Sequence, residues 1–353
     1  MPGGASLRTK VSIPAPTIRP REKEMLSIIG KQNAGFQIVR NANELRLRFM
    51  NEHYTIPVKL NLLIIVSCAA LYCVLLRIGM HTHSWYLELL LGLAVGVVLM
   101  PVYALMHEAA HNSLHPNPAW NAFLGKLLCC LFIVSYSFFR HCHLKHHKKN
   151  RTDEEMWDLY YEHQNKWLRY GNLYLMMVGV GYLALWLSVI LFAFAPRLVN
   201  TSFFKRHTEI RGFLEGSDDV HKLRTIQLES ISVLAFQLVV LWAIDWNVSV
   251  WFVFYVVHGF VWSSQNYINH AFSPRDIING AHNLKVPVWL NFIYLNFNLH
   301  LAHHQNPKIP WLHLPKFIKS GEGRFSFFKN YLRLWKGPRV THEPSPKPPA
   351  NIL

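Results

Sequence analysis

A chain of 353 residues, 51% of them aliphatic, aromatic or cysteine and only 16% charged, is too apolar for an ordinary soluble domain and too polar for a pure membrane bundle. Disorder, a collagen repeat and a disulfide-stapled miniprotein are excluded, and the five cysteines form no C-x-x-C pair that would suggest a zinc ribbon. The formal charge of +16 raises a nucleic-acid reading, but that charge lies mostly outside the apolar runs, as it does in a membrane protein.

The N-terminal stretch lacks the apolar core of a cleavable signal peptide, so membrane insertion is expected from internal segments. Residues 58–76 form the first run long enough to cross a hydrocarbon layer of roughly 30 Å, and residues 85–106 form the second. Residues 1–59 carry ten Lys and Arg whereas the connector 79–84 carries none, which places the N-terminus and the end of the second span on the cytoplasmic face. Residues 119–139 are apolar but carry Asn121 and Lys126 and run directly into a charged stretch, which predicts a buried or interfacial helix. Residues 173–196 are expected to dip in and return or to lie in the interface, because the following basic stretch, 197–224, then stays cytoplasmic. Residues 226–244 and 246–262 would form a transmembrane hairpin turning at Asp245-Trp246-Asn247. The alternative, one span at 173–195 and one kinked span at 231–262, would export six Lys and Arg. The proline-rich stretch 337–353 reads as a disordered tail.

Histidine occupies 21 positions, and three groups stand out. His107 and His111 share one helical face in His107-Glu108-Ala109-Ala110-His111, where the second span ends. The pattern H-x-x-H-H occurs twice, at His143, His146 and His147 and again at His300, His303 and His304. Chance would supply about 0.07 copies in such a chain, so two copies signal a site. Imidazole is the commonest neutral metal ligand, and eight unmetallated histidines in three such groups would each need buried partners. A zinc protease reading of HEAAH, with Glu108 as base, leaves both H-x-x-H-H groups unexplained. It also meets Asn117 where the extended motif needs its third histidine.

Taken with their flanks, these groups resemble the histidine boxes of the membrane fatty acid desaturase and hydroxylase superfamily. His107-x-x-x-His111 is similar to the first box, Phe139-Arg140-x-x-His143-x-x-His146-His147-x-x-Asn150 to the second, and Asn298-Leu299-His300-Leu301-Ala302-His303-His304-Gln305-Asn306-Pro307 to the third. Asn266-x-x-x-His270 resembles an element that precedes the third box in stearoyl desaturases and alkane monooxygenases. The resemblance implies an all-α polytopic membrane protein with about four transmembrane helices, interfacial helices and a cytoplasmic helical cap that holds the boxes. A basic segment 1–57, a membrane domain 58–336 and the tail 337–353 would make up the chain, set in a bacterial inner membrane or endoplasmic reticulum.

By the same resemblance two irons would be held by His107, His111, His143, His146, His147, His270, His300, His303 and His304, with Asn266 holding a water. Glu108, Asp153, Glu154 and Glu155 are candidates to orient those imidazoles through their second nitrogens, with a solvated acidic turn as the alternative for 153–155, and His115, His141 and His282, outside the family spacing, are read as outer partners of the ligands or as solvated. The family reaction uses O₂ at two ferrous ions to remove hydrogen from an unactivated alkyl chain, here an acyl chain on coenzyme A, a carrier protein, a lipid or a free acid. Lys145, Lys148, Lys149 and Arg151 are candidates to bind the anionic head group. No heme, flavin or cluster motif is present, so electrons are expected from an external carrier such as ferredoxin, rubredoxin or cytochrome b5 with its reductase. A hydroxylase, an acetylenase or an alkene-forming oxidative decarboxylase would use the same boxes.

Overall fold

The computed structural model describes residues 54–202, 219–319 and 324–347, so most of the basic segment 1–57 and the core of the stretch 197–224 lie outside the described residues. Helix α1 (Val58–Met80) and helix α2 (Trp85–Ala110) are apolar and lie antiparallel across the short connector. Helix α3 (Pro118–Phe132) starts where the Asn117 side chain accepts from the Ala119 and Trp120 amides, and stops at Ile133, whose φ of 56° breaks the helix. Helix α4 (Tyr136–Lys149) then leaves at 97° to α3. The apolar run 119–139 is therefore split between two helices, because a left-handed residue interrupts it. Helices α5 (Lys166–Met177) and α6 (Val180–Phe194) meet at 71° across Gly179, whose φ of 104° is readily adopted only by glycine.

Helix α7 (Val220–Ala243) and helix α8 (Val248–Asn266) correspond to the expected hairpin. Among the described residues α1, α2 and α7 are long and apolar enough to cross a membrane, or up to five crossings result if each bent pair counts as one. The expected second arm, α8, does not qualify, since it carries His258 and ends in Ser263-Ser264-Gln265-Asn266. It is nevertheless central: α8 packs most extensively against α2, where Gly92 and Gly96 let Val257 and Val261 approach closely. Side chains bridge the bundle where lipid offers no partner, as when Gln237 of α7 accepts from Trp251 Nε1 at 3.0 Å and donates to the Cys130 carbonyl at 2.7 Å.

The first turn of α4 is anchored by a carboxylate from α7. Glu229 accepts from Ser135 Oγ (2.9 Å), the Ser137 amide (2.7 Å) and Ser137 Oγ (2.9 Å), and Lys126 Nζ lies 3.3 Å away. A negative charge at a helix N-terminus satisfies otherwise unpaired amides. Tyr136 and Arg140 of the same helix donate to the Ala109 and Ala110 carbonyls, at 2.9 and 3.1 Å, which fixes α4 against the end of α2.

After α8 the chain forms a cap: a turn bearing His270, helix α9 (Val288–Ile293), helix α10 (His300–Gln305) and helix α11 (Phe327–Leu334). Strand β1 (Leu159–Tyr160) pairs in parallel with strand β2 (Arg339–Val340), in register Leu159 to Arg339. This corrects the disordered-tail expectation as far as residue 347: proline content removes donors, but the remaining backbone amides of Arg339 and Thr341 find the Asp158 and Tyr160 carbonyls, both at 2.9 Å.

Candidate metal centre

The nine box histidines gather into two groups. His107, His111, His143, His147 and His303 form one; His146, His270, His300 and His304 form the other, and within each group the offered nitrogens all lie within 4.8 Å of one another. Helical geometry explains the sorting. Residues four apart on an α-helix are rotated by about 40° from one another, whereas residues three apart lie about 60° to the other side. In α4, His143 and His147 therefore share the first group and His146 turns to the second. In α10, His300 and His304 share the second group and His303 turns to the first.

The imidazole nitrogens converge on each other instead of on protein acceptors. His111 Nε2 approaches His143 Nε2 at 2.7 Å, His143 Nε2 approaches His147 Nε2 at 3.1 Å, and His147 Nε2 approaches His303 Nε2 at 3.1 Å. In the second group His146 Nε2 and His270 Nε2 lie 3.2 Å apart. His107 Nε2 and His304 Nε2 are buried without a hydrogen-bond partner among the described residues. Buried polar atoms of native proteins are ordinarily partnered, so this constellation of lone pairs fits cations at the centre of each group. Burial, and then neighbouring imidazoles, pulls His270, His303 and His304 well below the ordinary histidine range, and burial followed by His146 brings His300 to about 3. All four are thus held in the neutral form that ligates metals.

Of the residues expected to orient these rings, Glu155 does so, while the others stand elsewhere. His146 Nδ1 donates to Glu155, and His270 Nδ1 donates to the Gly280 carbonyl at 2.8 Å. Asp153 instead pairs with Arg275 at 2.6 Å. Glu108 accepts from the Trp311 amide at 3.1 Å and stands 3.9 Å from His107 Nδ1, too far for a hydrogen bond. That contact, and the three further histidines beside His107 and His111, remove the metalloprotease reading. His115 accepts from the Asn117 amide in the turn before α3, and His282 approaches the Ala271 carbonyl at 3.2 Å; both reinforce turns. His141 belongs to neither group. Gly280 could not be foreseen, since a backbone carbonyl carries no side-chain signal.

Two small cavities lie on either side of Phe297, one of them lined by histidines. One is bordered by His107, His300 and His303 with Glu108, Phe297 and Trp311, and thus touches both groups. The other is bordered by Met100, Tyr103, Trp262, Asn266, Phe297 and Phe327 among others. Phe297 is the wall they share, its ring 5.1 Å from His107 and 4.7 Å from His300. Asn266 lies in the second cavity, where its Oδ1 accepts from Tyr103 at 3.2 Å. Of the four basic candidates, Arg151 is fully buried against Asp158 and Tyr267, Lys149 pairs with Glu154 at 2.7 Å, Lys145 is half-buried on α4, and Lys148 is exposed there.

A family model described as fatty acid desaturase matches residues 83–319. The chain is 22% identical over 270 residues to an omega-6 fatty acid desaturase, chloroplastic, of Brassica napus, covering 71% of this chain and 57% of the relative. It is 21% identical to the corresponding Glycine max protein, covering 70% of this chain and 59% of the relative. To an sn-1 oleoyl-lipid 12-desaturase of Arthrospira platensis it is 21% identical, covering 67% of this chain and 69% of the relative. The chain thus spans less than two thirds of the length of the two plant relatives.

Proposed function

The chain belongs to the fatty acid desaturase family, and from that premise we propose that it is a membrane fatty acyl desaturase in which each histidine group holds one iron. The observation that carries the reading is the division of nine imidazoles into two adjacent groups, a donor set suited to redox-active iron more than to structural zinc. When bound, the irons supply the electron transfers to O₂ by which two hydrogens are taken from neighbouring carbons of an alkyl chain.

The protein's own residues position and exclude. Glu155 and Gly280 fix His146 and His270 with their Nε2 atoms turned inward. Phe297, Tyr103 and Trp262 offer an apolar wall against which a methylene pair lies, and they keep water from the histidines. Helix α4 presents Lys145 and Lys148 near the site, where an anionic head group or an acidic electron carrier such as ferredoxin, rubredoxin or cytochrome b5 finds opposite charge. The site and the N-terminus face the cytoplasm by the placement of Lys and Arg.

Mass spectrometry of lipids and volatile hydrocarbons from cells expressing the chain, beside a His303→Ala control, tests this. The expected result is acyl chains lacking two hydrogens in the first cells and not in the second. A dominant hydroxylated chain, or a terminal alkene one carbon shorter than its precursor, would overturn desaturation.

A further inference from the structure

The two histidine groups are supported in different ways. All five histidines of the larger group stand on helices or at their ends: His107 and His111 at the end of α2, His143 and His147 on α4, and His303 on α10. The smaller group depends on two irregular segments. His146 takes its orientation from Glu155 in the loop after α4, and His270 sits in the turn after α8 and takes its orientation from Gly280.

These two segments are riveted to each other. Arg151 donates to Asp158 at 2.6 Å, to Tyr267 at 2.7 Å and to the Ser273 carbonyl at 3.0 Å, and Tyr267 donates to Asp158 at 2.7 Å. Arg275 then uses its whole fork. Its Nε donates to the Arg151 carbonyl at 3.2 Å, one terminal nitrogen reaches Asp153 at 2.6 Å, and the other reaches Tyr161 Oη and the Glu343 carbonyl, both at 2.6 Å. The last contact belongs to the tail, which continues the stitching from outside through Arg339 and Thr341 on β1 and through Ser345 Oγ, which accepts from the Asp153 amide at 3.2 Å. The Arg339 guanidinium also covers the Phe272 ring at 4.7 Å, beside His270 in sequence.

We propose that Arg275, closed over by residues 338–345, is a positioning residue for the four-histidine group and does not serve the five-histidine group. The inference rests on the di-iron reading above. A planar fork that donates from all three of its nitrogens fixes the two loops in one register, a task a lysine's single ammonium cannot perform. Loss of that register rotates His146 and His270 away from His300 and His304 while α2, α4 and α10 keep their places.

The test uses the full-length iron-loaded protein, Arg275→Lys, and a chain ending at Lys336. Iron per chain is measured during dialysis against a mild chelator, and Mössbauer spectra report the iron that remains. The wild-type protein should hold two irons. Both variants should lose one iron roughly 10- to 100-fold faster, the scale on which outer partners of metal ligands act, and should keep the other at the wild-type rate. Release of both irons at wild-type rates, or loss of both together, would overturn the strap's selective role. If the shortened chain fails to fold, Arg275→Lys decides. A wild-type chain that never holds two irons would instead defeat the di-iron reading, so the two failures are distinguishable.

Discussion

Glu155 and His115 show how differently two candidates near the boxes behave. Glu155 receives the outer nitrogen of His146, so Glu155→Gln should lower iron affinity roughly 10- to 100-fold, whereas His115→Ala, which disturbs only a turn, should leave iron content unchanged. Titration of bound iron in the two purified variants checks both outcomes. His300 makes a second case. Its pKa in the fold is about 3 against an ordinary 6.5, so between those values the unfolded chain takes up a proton that the folded chain refuses. Acidification then favours unfolding, and the metal-free protein should melt at a lower temperature at about pH 5 than at about pH 7. Substituting His300 by Gln should shrink that difference in thermal scans. The sequence displayed the nine box histidines because their spacing is helical, and even their partition follows from that spacing. It offered Glu155 only as one of several acidic candidates: Asp153 and Glu155 are two residues apart in one acidic turn, and only the fold turns the latter toward His146.

At the scale of elements, α2 is both a candidate span and the carrier of His107 and His111, so its seat against α8 matters to the site. A Cβ on Gly96 would stand 3.1 Å from Val261, and the remainder of a leucine has nowhere to go. Gly96→Leu should therefore cost about 1 to 3 kcal/mol and reduce iron content. Gly171 on α5 has open space around it, and Gly171→Ala should be neutral or stabilising by about 0.5 to 1 kcal/mol. Thermal midpoints in detergent report both. Hydropathy made the α1 and α2 runs legible, since a long apolar stretch has few other uses. The break at Ile133 was not legible, because a β-branched residue in the left-handed region is an unfavourable local choice enforced by the packing on either side.

For the whole molecule, charge and parity give an expectation. With ten Lys and Arg in residues 1–59 and none in the 79–84 connector, a cysteine placed at His83 should react with an impermeant maleimide from outside, and one placed in residues 1–53 only after the membrane is opened. The reverse pattern in intact cells would invert the proposed topology. The tail was misjudged at this same scale. Composition weighs what a segment can bury for itself, whereas residues 338–345 owe their order to Arg275, Asp158 and Tyr160, contributed by distant parts of the chain.

Among the described residues neither histidine group includes a carboxylate or a thiolate. The charge of two divalent cations would therefore meet no compensating charge among its donors, and Glu155, one imidazole removed, would be the nearest anion assigned to it. Electrostatics in so buried a setting penalises each further unit of positive charge, which raises the reduction potential above that of a carboxylate-bridged pair. A centre of this kind would favour the lower oxidation state of whatever redox-active metal it held, and a potentiometric titration of the metal-loaded protein would report that preference.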